Sequence, residues 1–137
     1  MCLLDIIEAM AENQPQRVKE LISSHEVNVD LKDSNATTPL HWASQRGHND
    51  LVTFLISRGA SVNILDRWRA TPLHYASQNG HTEIVKRLIA NGAIPYVANL
   101  EGAVPLHLAA NAEIAAMLKE CGGEEYLVTE LGEPDYD

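Results

Sequence analysis

Residues 38–48 read Thr38-Pro39-Leu40-His41-Trp42-Ala43-Ser44-Gln45-Arg46-Gly47-His48, and residues 71–81 read Thr71-Pro72-Leu73-His74-Tyr75-Ala76-Ser77-Gln78-Asn79-Gly80-His81. The two stretches differ only at 42/75 and 46/79, and an offset of 33 residues relates them. After a further 33 residues stands Val104-Pro105-Leu106-His107. The match also runs outward: Leu55-Ile56 returns as Leu88-Ile89, and Gly59-Ala60 as Gly92-Ala93. Self-similarity at one fixed spacing marks a repeat architecture, in which each unit is a small element that cannot bury its apolar face alone.

Each unit has a physical reading. The threonine hydroxyl can accept orphan backbone amides at a helix start, and proline suits the first helical position because its missing N–H has no role there. This predicts first helices over 39–45 and 72–78. Gly47 and Gly80 punctuate a turn. Second helices follow over 49–57 and 82–90. Their apolar residues, Leu51, Val52, Leu55, Ile56 and then Ile84, Val85, Leu88, Ile89, form one stripe of a 3.6-residue period. Gly59 and Gly92 act as stops. Residues 60–66 then link to the next unit as an extended or hairpin segment. Helices this short must lay their stripes against the neighbouring unit, and a solenoid results.

The outer units are less regular, as terminal repeats tend to be. Ala9, Val18, Leu21 and Ile22 match Ala43, Val52, Leu55 and Ile56 at an offset of 34, and Pro15 begins a second helix. At the other end Ala109 keeps the 33 offset from Ala76, but Glu113, Ile114 and Leu118 match Glu83, Ile84 and Leu88 at an offset of 30. Three residues equivalent to Gly80-His81-Thr82 are missing. The turn around Asn111-Ala112 is therefore tighter, or the helices are shorter.

The Thr-Pro-Leu-His-x-Ala signature and its period resemble the ankyrin-repeat family over roughly residues 3–123. The resemblance implies an all-α repeat solenoid of paired antiparallel helices with β-hairpin fingers and a concave face. It implies about four units (1–32, 33–65, 66–98, 99–123), the first a degenerate cap, ahead of an acidic tail, 124–137. The family usually places glycine two residues before the signature threonine to supply a positive φ. Gly102 keeps it, but Ala36 and Arg69 replace it. A left-handed residue with a Cβ costs about 1–2 kcal/mol. Either those turns differ, or Asn35 takes the left-handed position in the first.

Composition narrows the function classes. The 137 residues (15.1 kDa) are 45% apolar and 21% charged, as in ordinary globular chains. Of 19 acids and 10 bases, six acids and no base lie in 124–137, so the net charge of −9 is mainly a property of the tail. A nearly balanced body argues against nucleic acid as partner, because phosphate binding wants a basic face. No run of apolar residues is long enough to cross a membrane, and the acid-bearing start does not read as a signal peptide. Cys2 and Cys121 read as reduced thiols, which fits a cytoplasmic or nuclear protein.

Catalytic signatures are absent: no Gly-x-Ser-x-Gly, no phosphate-cradling glycine loop, no His-Glu-x-x-His. His41, His74, His107, His48 and His81 occupy repeat-equivalent positions, so they read as structural and not as metal ligands; for the His that follows Thr-Pro-Leu, the resemblance implies hydrogen bonds between adjacent units. His25 falls in a hairpin region and reads as exposed. The expectation is a non-catalytic protein without metal or cofactor, an adaptor, inhibitor or assembly factor that acts as a monomer. A recognition module of a larger signalling enzyme or channel is one alternative. A small enzyme or ligand-binding protein is another, which a polar pocket would mark.

The resemblance implies that a partner protein meets the finger tips and the inner-helix face. These positions are Ser34, Asn35, Thr37, Gln45 and Arg46 in one unit, then Arg67, Trp68, Ala70, Gln78 and Asn79, then Leu100, Glu101, Ala103 and Asn111. Trp68, between Arg67 and Arg69, is the expected anchor, since Trp and Arg are enriched at interface hot spots. Otherwise it folds onto a neighbouring finger and the arginines are merely solvated. Arg46, Arg67 and Arg69 bias this face positive, which suits an acidic or phosphorylated segment. The tail reads as a solvated acidic segment, or as a short motif that docks elsewhere or folds back on the concave face.

Overall fold

In a computed structural model of the chain, residues 2–24 and 27–121 are described; His25 and the tail lie outside them. Eight helices form among these residues and no strand: α1 (Cys2–Ala11), α2 (Pro15–Ser24), α3 (Pro39–Arg46), α4 (Asn49–Ser57), α5 (Pro72–Gln78), α6 (Thr82–Ala90), α7 (Pro105–Leu108) and α8 (Ala112–Glu120). Consecutive helices pair within a unit. The inner row packs α3 on α5 on α7, and the outer row packs α2 on α4 on α6 on α8. One continuous core runs through the stack, from Ile6 through Leu55 and Leu88 to Leu118, all 0% exposed.

The signature residues build both the helix starts and the joints between units. Thr71 Oγ1 accepts from the His74 amide at 3.3 Å, and the Thr71 amide donates to His74 Nδ1 at 3.0 Å, a reciprocal capping box. His74 Nε2 then donates to the Ala103 carbonyl of the next unit at 2.9 Å. His41 repeats this arrangement with Thr38 and the Ala70 carbonyl. Each ring therefore uses Nδ1 as acceptor and Nε2 as donor, which only the neutral form can do.

Burial holds the pKa of both histidines below the usual value of 6.5. The folded state thus binds fewer protons than the unfolded chain below pH 6.5. Stability is fully present above that pH and is lost as pH falls toward the folded values. Each ring contributes a slope of up to about 1.4 kcal/mol per pH unit. We expect the denaturation midpoint to drop between pH 7.5 and 5.5, and to drop less in a His41→Gln variant.

The three-residue deletion falls on the inner helix of the last unit. Helix α7 has four residues against eight in α3, while α8 keeps the nine residues of α4 and α6. The turn itself is not tightened. Ile114 and Leu118 must meet the α6 stripe, and Asn111 Oδ1 caps α8 by accepting from the Ile114 amide at 2.9 Å. The start of α8 is fixed, so α7 ends early.

The fingers are tight turns and not β-ladders. In the second, the Asp66 amide donates to the Ala70 carbonyl at 3.1 Å and the Arg69 amide to the Asp66 carbonyl at 2.9 Å. One main-chain bond joins each finger to the next: Arg67 amide to Asn35 carbonyl, and Leu100 amide to Trp68 carbonyl, both 3.0 Å. The turns do not differ from the family pattern, and Asn35 does not take the left-handed position. Ala36 (φ 59°) and Arg69 (φ 61°) take it themselves, like Gly102 (φ 79°). Ala36→Gly and Arg69→Gly should each add about 0.5–1 kcal/mol, the strain relieved less the added chain entropy of the unfolded state. Chemical denaturation of the two single variants checks this.

Candidate functional site

The second finger is organised by a buried carboxylate. Asp66, 5% exposed, accepts from the amides of Trp68 and Ala70 through Oδ1, both at 2.9 Å. Its Oδ2 accepts from the Tyr75 hydroxyl of α5. Burial, with the Asp66 hydrogen bond and charge added, holds the Tyr75 pKa far above its usual range, so the phenol stays a donor. The finger tip is thereby pinned to the inner helix.

That frame presents Trp68 outward at 46% exposure. The Arg67 guanidinium lies 5.4 Å above its ring and donates to Asn35 Oδ1 of the first finger at 3.2 Å. Leu100, 63% exposed, stands on the next finger. Between them opens a cleft of about 160 Å³, lined also by Tyr75, Gln78 and Leu108. A larger groove of about 420 Å³ lies between the starts of α2 and α4. Its charges, Lys19 and Asp50, are of opposite sign, and its one large apolar side chain, Leu51, is buried. The smaller cleft, with its exposed aromatic, is the better-built site.

Most of the sequence-derived positions are surface groups. Ser34, Gln45, Arg46, Arg67, Trp68, Arg69, Gln78, Asn79, Leu100 and Glu101 are exposed, and Asn35 and Thr37 are half-buried. Trp68, Gln78, Leu100 and Glu101 share the cleft. One position differs from expectation: Ala70 is buried beneath its finger because its amide and carbonyl hold the turn and His41. Asn111 is exposed and also caps α8. Trp42 is buried against His48, whereas Tyr75 lines the cleft.

Sequence reasoning missed two features. Asp33, Asp66 and Asn99 recur at the 33-residue spacing, and each accepts two amides inside its own finger. Their identical offset was the available signal. Among the described residues, the large exposed apolar side chains are Trp68 and Leu100 on the fingers and Ile94 and Tyr96 in the segment that leads from α6 to the third finger. Ile94 and Tyr96 lie in a charge-free stretch, 88–100, that could have flagged them. Among the described residues, no group of three or more His, Cys, Asp or Glu is placed to hold a metal ion, and no helix is long and apolar enough to cross a membrane.

Known proteins share this pattern. A family model described as ankyrin repeats (3 copies) matches residues 6–99 and again 59–129. Acyl-CoA-binding domain-containing protein 6 of Bos taurus is 38% identical over 52 residues, 38% of this chain and 18% of that protein. The BTB/POZ domain and ankyrin repeat-containing protein NPR3 of Oryza sativa subsp. japonica is 43% identical over 53 residues, 39% of this chain and 9% of its own. The 26S proteasome non-ATPase regulatory subunit 10 of Dictyostelium discoideum is 36% identical over 52 residues, 38% of this chain and 22% of its own. The matched stretch therefore spans under a quarter of each of these relatives. With the repeat signature, the stacked helix pairs and a family model matching most of its length, the chain belongs to the ankyrin-repeat family.

Proposed function

We propose that the protein is a non-catalytic recognition scaffold that holds a partner protein along its finger tips and inner-helix face. Ankyrin repeats are generally protein–protein interaction modules. The observation that carries the reading is Trp68, exposed beside Leu100 over a cleft and flanked by Arg67 and Arg69. The cleft is sized for a side chain, and the flanking guanidiniums suit carboxylate or phosphate. The partner presents an apolar residue next to acidic or phosphorylated ones. The protein acts as a monomer in the cytoplasm or nucleus, a reducing setting that suits the exposed free thiol of Cys121. Nucleic acid, membrane and cofactor play no part. A second reading is favoured by the short span of the matches: the same scaffold serves as a recognition module within a longer protein.

A displayed random-peptide library tests the chemistry. The protein is expected to enrich acidic peptides with one large apolar residue. The double variant Arg67→Glu, Arg69→Glu should bind these at least tenfold more weakly, a loss of about 1.4 kcal/mol. Enrichment indifferent to charge, or unchanged affinity of the variant, would count against the reading.

A further inference from the structure

The charges of the finger row are sorted along the stack. Arg46, Arg67 and Arg69 are exposed and belong to the units at 33–65 and 66–98. The acids of those two fingers are turned onto their own turns: Asp33 and Asp66 each accept two amides there, and Asp66 is buried. The third finger reverses the sign. Asn99 takes the place of Asp33 and Asp66 without a charge, accepting the Glu101 and Ala103 amides at 2.9 and 3.0 Å, and the tip exposes Glu101. No lysine or arginine lies between Arg87 and Lys119, so no base of that finger or of α7 offsets it.

The cleft lies where the sign changes. Trp68 of the second finger and Leu100 of the third both line it, as does Glu101. Arg67 stacks on Trp68 but reaches the other way, to Asn35 of the first finger, and neither Arg67 nor Arg69 is among the lining residues. His74, the other ionisable group besides Tyr75 in the lining, is held neutral by its capping box and its bond to the Ala103 carbonyl. Glu101 is therefore the one charge in the cleft wall. The ion pairs among the described residues are both made by Lys86, on the outer row, and leave Glu101 without a counter-charge there.

We infer that the bound segment is read in order of charge: its acidic residues lie over the second finger, its large apolar residue enters the cleft, and a lysine or arginine stands on the far side against Glu101. This rests on the recognition reading above and narrows it, because Glu101 becomes the residue that rejects a segment acidic on both flanks. A carboxylate beside Glu101 meets a like charge that no neighbouring base offsets, and specificity follows from that repulsion as much as from attraction. A lysine there can lay its apolar stem along the exposed Leu100 and carry its ammonium to the Glu101 carboxylate. At the other end Arg67 and Arg69 accept acids and repel bases, so a segment basic on both flanks is rejected as well.

Titration of the full chain with synthetic peptides of one length and a central leucine tests it. One peptide carries glutamates on one flank and lysines on the other, one carries glutamates on both, and one carries lysines on both. The mixed peptide should bind at least about fivefold tighter than either uniform one, and the margin should shrink as salt is raised. Glu101→Lys should move the optimum to the doubly acidic peptide. It should leave the melting curve in place, since the turn holds the Glu101 amide and not its side chain. Wild-type affinity that rises or falls steadily with peptide charge, or a ranking that Glu101→Lys leaves unchanged, overturns the inference; the recognition reading survives if Trp68→Ala still weakens every peptide that binds. Binding that Trp68→Ala leaves intact, or no binding of any of the peptides, overturns both.

Discussion

Asp66→Ala is expected to destabilise the protein by about 3 kcal/mol and to release the second finger from the inner helix, because it strands three donors: two finger amides and the Tyr75 hydroxyl. A buried donor left unpaired costs about 1–3 kcal/mol. The Trp68 amide can recruit water in the exposed tip and so falls at the low end; the Ala70 amide lies beneath the finger and cannot. Asp66→Asn should cost about 1 kcal/mol or less, within the net worth of one hydrogen bond. It keeps the Oδ1 acceptor, as Asn99 shows in the third finger, and the Tyr75 hydroxyl can turn to accept from the new amide. Denaturant midpoints of the two variants check the contrast. Equal costs would mean that the charge, and not the acceptor geometry, holds the finger.

The helical frame was legible because its signals are local and repeated. Threonine and proline at a helix start, glycine at its end and a stripe at helical spacing predicted α4, α5 and α6 as found and α3 to within a residue. The structural role of His41 and His74 was legible from their equivalence, although the carbonyl each ring reaches is visible only in three dimensions. The shortening of α7 was not decidable. A deletion can fall on a turn or a helix, and the outcome depends on the packing that fixes Ile114 and Leu118 against α6.

The left-handed Ala36 and Arg69 ran against local propensity. Asp33 and Asp66 each hold two amides of the turn, and neighbouring fingers add a main-chain bond, so together they over-determine a backbone that the residue alone would avoid. At the candidate site, Trp68 and its arginines were identifiable by residue type and position. Ile94 and Tyr96 were not, since an apolar residue in a linking segment reads equally as core or surface until the neighbouring unit is in place. Ala70 was misread for a related reason. A position on the binding side of one repeat can still be consumed by a turn.

Trp68→Ala should separate recognition from stability. The ring is half exposed and fills no core, so its loss should change folding by no more than about 0.5 kcal/mol. As the anchor of an interface it should carry about 2 kcal/mol or more of binding, roughly a thirtyfold change in affinity. Loss of its stacking with Arg67 adds to this by freeing the guanidinium from its bound orientation. Calorimetric titration of one acidic, apolar-anchored peptide against wild type and Trp68→Ala, with melting curves recorded on the same samples, is the most direct test. The account predicts at least thirtyfold weaker binding with a superimposable melt. Affinity unchanged within twofold would contradict it.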